Sequence, residues 1–124
     1  MLQLSRIALA APATLGLCLG ATVAIAEMPK MDLNGDVEAG KDVAMTRAKG
    51  NCIACHVIPG GEAPGAIGPA LVAIQTRYAS KEEVAEQIWD PTVKNPDVVM
   101  PPFGKHGILT DKEFVDVVEY VWSL

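Results

Sequence analysis

Aromatic side chains are scarce, with two Phe, two Tyr and two Trp in 124 residues. A chain of this length reads as one domain, and a domain this small buries only about 60–65% of the surface that its unfolded chain exposes. With so few large rings it fills a core poorly by itself, and a disulfide, a metal or a bulky apolar cofactor is the usual supplement. Cations are also in short supply, ten Lys or Arg against 15 Asp or Glu. That balance disfavours nucleic acid and anionic membrane surfaces, which both want clustered positive charge. A basic or charge-patched protein partner suits it better. There is no alternating apolar and polar run, which argues against strands, and no internal repeat.

Met1 to Ala26 contain no acid and one cation, Arg6, followed by small and apolar residues and then Ala24-Ile25-Ala26 before Glu27. This is the pattern of a secretory signal peptide cleaved after Ala26, which puts the mature chain in the periplasm. The rival is an uncleaved anchor, since Ile7 to Ala26 is long enough to span a bilayer. Pro12 and the many Ala and Gly make it a weak spanning helix, so no stable membrane anchor is expected. Cys18 falls inside this segment, and the bulky Leu17 before it does not suit lipoprotein processing. The domain is then 27–124, with nine Lys or Arg against 15 acids and a net charge of −6. Its two cysteines, Cys52 and Cys55, enter an oxidising compartment and should be bonded to something.

The mature chain begins with a loose arm, EMPKMDLNG. Asp36 is a candidate N-cap for a first helix in which Val37, Gly40, Val43, Ala44 and Arg47 form a stripe and Gly50 is the stop. VIPGGEAPGAIGP, from Val57 to Pro69, is loop. Ser80 with Glu83 reads as the capping box of a second helix, which carries Val84, Ile88 and Trp89 and ends at Asp90-Pro91. A second irregular stretch leads to Thr110 and Glu113, the capping box of a last helix running to Leu124. Its Phe114, Val117, Val118, Val121 and Trp122 share one face. The fold class is all-α, short helices joined by irregular loops. Glu82, Glu83, Glu86 and Asp90 form an acidic run, read as a solvated helix side or a docking face.

Within NCIACHVIPGG, Cys52, Cys55 and His56 admit three chemistries. A thioredoxin-type dithiol needs a βαβ setting that this chain lacks. A zinc site from Cys52, Cys55, His56 and His106 lacks a second closely spaced pair, and adjacent Cys55 and His56 point different ways. Covalent haem attachment uses every residue of the motif. Cys52 and Cys55 add to two vinyl groups of one porphyrin, and His56 lies beneath the iron as an axial ligand. Its Nε2 then faces the metal while Nδ1–H needs an acceptor, for which a backbone carbonyl near Pro69 is placed.

Candidates for the sixth ligand are Met28, Met31, Met45, Met100 and His106. Met28 and Met31 lie in the arm, and Met45 is too near the cysteines to come round to the other face. Met100 lies 44 residues after His56 in a segment stiffened by Pro101-Pro102, and is favoured. His106 is the next candidate, though beside Lys105 it reads more simply as an exposed loop histidine. A thioether opposite an imidazole favours ferrous iron and closes the metal to substrates, so the iron in this chain should move electrons rather than do bond chemistry.

Cys52-x-x-Cys55-His56, Gly68-Pro69-x-Leu71, Met100-Pro101 and the last helix together resemble class I cytochromes c with one covalent haem c. In that family the first and last helices cross, which suits Gly40. YASKEEVAEQIWDPTVKNP and VMPPFGKHGILTDKEFVDVVEYV further resemble the SoxX family, small monohaem subunits of the SoxAX cytochromes of thiosulfate oxidation. The resemblance implies a heterodimer with a SoxA-like cytochrome subunit in an L-cysteine S-thiosulfotransferase that joins thiosulfate to a cysteine of a SoxYZ-like carrier. The catalytic haem there belongs to the SoxA chain, and the SoxX haem passes electrons to a downstream cytochrome c acceptor. Carried over by position, Cys52 and Cys55 are the thioether sites and His56 and Met100 the axial ligands, and no catalytic residue for the sulfur chemistry is carried over onto this chain. The competing readings are a free diffusible monohaem carrier for another respiratory chain and a haem sensor with an open iron.

Overall fold

The computed structural model describes residues 27–124; the segment expected to direct export, with Cys18, lies outside them. The described residues form three α-helices, α1 (Val37–Met45), α2 (Lys81–Trp89) and α3 (Asp111–Ser123), together with short 3-10 turns at Cys52–Ala54, Ile74–Thr76 and Pro91–Val93. There is no strand among the described residues.

Each helix starts where its cap says. The Asp36 side chain accepts from the Ala39 N–H at 2.8 Å, and the Asp36 N–H donates to Asp116 Oδ1 at 2.9 Å, so the cap of α1 is itself fastened to α3. Thr110 and Glu113 form a reciprocal capping box. At α2 the box is incomplete: Ser80 accepts from the Glu83 N–H, but the Glu83 carboxylate accepts from the Ala79 N–H, one residue earlier than expected.

α1 is shorter than its stripe implies. Thr46 turns extended and ends the helix, and Gly50 closes a turn by donating its N–H to the Val43 carbonyl at 3.1 Å. Arg47 is therefore outside the helix and exposed, and Val37 is more than a third exposed, so the packed stripe is Gly40, Val43 and Ala44. That stripe crosses α3. A Cβ on Gly40 would stand 1.9 Å from the Asp116 carbonyl oxygen and 2.8 Å from Tyr120 Cβ, so only glycine permits the crossing at this distance.

α3 supplies more of the core than any other helix. Phe114, Val117, Val118 and Val121 are buried as their spacing predicts, Tyr120 and Asp116 are buried beside them, and Trp122 is half-buried. Each fully buried apolar side chain of this size contributes roughly 1.5–3 kcal/mol. α2 leans on the same helix, with Trp89 meeting Phe114 edge to face at 5.5 Å between ring centroids. Such a pair is worth about 0.5–1.5 kcal/mol beyond its buried area.

The loop after the cysteines is irregular, yet its backbone groups are paired. Gly65 N–H donates to Ile53 O, Gly68 N–H to Cys55 O and Leu71 N–H to Val57 O, each at 2.8 Å, and Ala73 N–H reaches the Leu124 carbonyl at the end of α3. These bonds hold the loop along the cysteine turn in place of a regular ladder.

Candidate functional site

The cysteines sit on a single tight turn. Asn51 adopts the left-handed conformation that asparagine tolerates better than most residues and turns the chain into Cys52–Ala54. His56 N–H then donates to the Cys52 carbonyl at 2.9 Å. Cys52 and Cys55 are not bonded to each other. Burial pushes the Cys52 thiol up to about 11, so it stays a neutral thiol at physiological pH.

His56 is fixed by its neighbours. Its Nδ1 lies 2.6 Å from the Pro69 carbonyl oxygen. A carbonyl only accepts, so Nδ1 carries the hydrogen and Nε2 keeps its lone pair for a metal. Gly68 makes room for this arrangement: a Cβ there would stand 2.4 Å from His56 Cε1. The acceptor expected near Pro69 is thus Pro69 itself.

All four sequence-predicted site residues, Cys52, Cys55, His56 and Met100, line one cleft. Counting the solvent at its open mouth, the space between its walls is about 1210 Å³. Its floor is apolar, with Ile74, Val84, Ile88, Phe103, Leu109, Val117 and Val121 from all sides of the core. Arg77 is the one lining residue that carries a permanent full charge; its guanidinium Nη2 donates to the carbonyls of Ala70 at 2.9 Å and Val72 at 3.2 Å. Among the described residues, no carboxylate lines the cleft. Two thiols on one turn, an imidazole with a free Nε2, a thioether, apolar walls and a cation suit a flat apolar macrocycle with a metal at its centre and acids at its edge. The residues therefore fit a haem.

The rejected ligand candidates lie elsewhere. Met28 lines a separate hollow with Trp89, Val93 and Lys94. Met31 and Met45 are half-buried without lining the cleft, and His106 is exposed, as its loop position implied. The acidic run does not survive as a single solvated face. Asp90 is only 3% exposed and pairs with Lys105, and Glu83 is spent on the start of α2. Spacing along the helix placed Asp90 with the glutamates, but it follows the last helical residue, where the chain turns inward.

Sequence reasoning also missed the cleft mouth. Ile67 and Val99 both line it and are 71% and 78% exposed. Large apolar side chains left in water at the rim of a cleft were the available signal, and it exists only once the fold brings the two loops together.

Residues 37–124 match the family model of cytochrome c. The chain belongs to the cytochrome c family. Membership implies a covalently bound haem c, and electron transfer as the activity. Among solved structures, a chain of SoxXA from P. pantotrophus superposes with a TM-score of 0.63 at 27% sequence identity, covering 70% of this cytochrome and 80% of that chain. Family and likeness together make this an all-α class I cytochrome c of the SoxX type. An uncharacterized lipoprotein of Aquifex aeolicus (strain VF5) is 39% identical over 74 residues, which cover 59% of this cytochrome and 36% of the relative's length.

Proposed function

We propose that this cytochrome is the electron-relay subunit of a periplasmic thiosulfate-oxidising complex, an L-cysteine S-thiosulfotransferase of the SoxAX type. Support comes from the SoxXA likeness and, in this chain, from the convergence of Cys52, Cys55, His56 and Met100 on one apolar cleft. Cys52 and Cys55 would hold a single haem by two thioethers, and His56 and Met100 would be its axial ligands. When bound, the haem supplies a one-electron couple. His56 is oriented by Pro69, the apolar walls would exclude water, and Met100 would supply the second protein ligand to the iron, which suits electron transfer. The electrons would come from a SoxA-like subunit acting on a SoxYZ-like carrier and leave to a cytochrome acceptor.

No helix among the described residues is long and apolar enough to cross a membrane.

Two measurements test this reading. Purified from thiosulfate-grown cells, the chain should come out in stoichiometric complex with a larger haem protein. Recovery always as a lone monomer would favour the free carrier instead. The ferrous protein should bind carbon monoxide slowly or not at all at neutral pH, and rapid binding would point to a sensor with an open iron.

A further inference from the structure

The buried carboxylate of Asp90 has no role in the site as described. It follows α2 and caps the Pro91–Val93 turn, its Oδ1 accepting from the Thr92 N–H at 3.1 Å and from the Thr92 hydroxyl. Its Oδ2 accepts from Lys105 Nζ, 15 residues further on. An aspartate 3% exposed keeps its charge only where such partners replace water, and Lys105, with Thr92, holds its carboxyl below the ordinary carboxylate value.

The position of this pair gives it a use. Between its two members the chain leaves the core: Val93 to Asp97 are exposed, as are Val99 and Pro101. The segment makes few bonds of its own, among them Val98 N–H to Asn95 O and Asp97 N–H to Asn95 Oδ1. Its return is secured at the end of α2, where Phe103 N–H donates to the Ile88 carbonyl and Lys105 N–H to the Trp89 carbonyl, both at 3.2 Å. Asp90 and Lys105 stand at the base of this loop, and Met100 is on it. A loop tied at its base samples fewer conformations than one held at one end.

We propose that the Asp90–Lys105 ion pair is a clasp that closes the Met100 loop and sets how readily Met100 leaves the cleft. Asp90 and Lys105 are positioning residues that never touch the cofactor. The proposal rests on Met100 being the sixth ligand, and the test separates the two.

Imidazole binding to the ferric holoprotein reads the opening directly, since an added ligand waits for the protein's own to leave. Lys105→Gln, and Asp90→Asn with Lys105→Gln, which leaves no orphaned charge, should bind imidazole at least tenfold faster than wild type. Both should lose amide-exchange protection at Phe103 and Lys105. Lys105→Arg should restore the wild-type rate. Lys49→Gln, which removes the ion pair with Glu113 on another part of the surface, should leave the rate within about twofold. If Met100→Ala binds imidazole much faster than wild type while folded Lys105→Gln and the double variant do not, the clasp is wrong and the ligand assignment stands. A Lys49→Gln rate that rises as much as the Lys105→Gln rate also overturns the clasp, because general loosening then explains both. If Met100→Ala is no faster than wild type, the assignment fails and the clasp with it.

Discussion

The His56 ring is held between a carbonyl and a missing side chain: Nδ1–H donates to Pro69 O at 2.6 Å, while Gly68, the preceding residue, leaves no Cβ to strike Cε1. The bond leaves Nε2 as the nitrogen available to a metal and would strengthen it as a donor. The glycine is what lets the loop approach closely enough to make it.

Gly68→Ala places a methyl 2.4 Å from the ring, so the imidazole or the loop must shift. Overpacking of this kind costs about 1–3 kcal/mol. We expect haem attachment to survive, because the cysteines are untouched, with a lower denaturation midpoint and a changed reduction potential. Chemical denaturation followed at the haem, together with potentiometry, checks both; unchanged values would mean that the loop has slack the structure does not show.

Much of this site was legible in sequence because its parts are local or stereotyped. Cys52, Cys55 and His56 are set by one turn, a Gly-Pro run so soon after them places a carbonyl under the histidine, and the helix starts follow from single capping residues. Met100 was reached by exclusion, on distance along the chain and flanking prolines. The illegible parts depend on packing between distant segments. The end of α1 is decided by where Thr46 meets the turn to the cysteines. Asp90 looks like one more surface acid until the loop brings Lys105 back to it. Ile67 and Val99 belong to different loops, and nothing in either says that they share a rim.

Met100→Ala removes a soft thioether from the cleft. A Met and His pair holds a higher potential than His with water or a harder ligand, so the midpoint should fall. A drop beyond about 59 mV, the equivalent of a tenfold change in a one-electron equilibrium, is expected. Carbon monoxide should then bind the ferrous protein quickly, with the haem still covalently attached on a denaturing gel. An unchanged spectrum and potential would overturn Met100 as the sixth ligand.

Gly40→Ala tests the crossing that carries the fold. The new methyl would meet the Asp116 carbonyl at 1.9 Å, and backbone cannot swing aside as a long side chain can. Separating α1 from α3 also strains the Asp36 N–H bond to Asp116. A loss of about 2 kcal/mol is expected, or roughly 8–16 °C in Tm for a domain of this size. Differential scanning calorimetry measures it directly. A variant as stable as wild type would show that α1 can slide on α3.

The acid limb of the stability profile should bear the mark of Glu113. Lys49 and the N–H and hydroxyl of Thr110 hold its carboxylate at about 2, against 4.5 for an ordinary glutamate. Since the folded value is the lower one, the ionised form stabilises the fold fully above about pH 4.5. That contribution is lost progressively as the pH falls toward 2. Because the side chain faces solvent, the slope should be shallow and should weaken further in high salt. Glu113→Gln should flatten the Tm profile between pH 4.5 and 2 while leaving its shape above pH 6 unchanged. Thr110→Ala, which removes the other half of the capping box, should instead lower stability by about 1 kcal/mol at neutral pH. A Glu113→Gln profile as steep as wild type over the acid range would assign the acid sensitivity to other carboxylates.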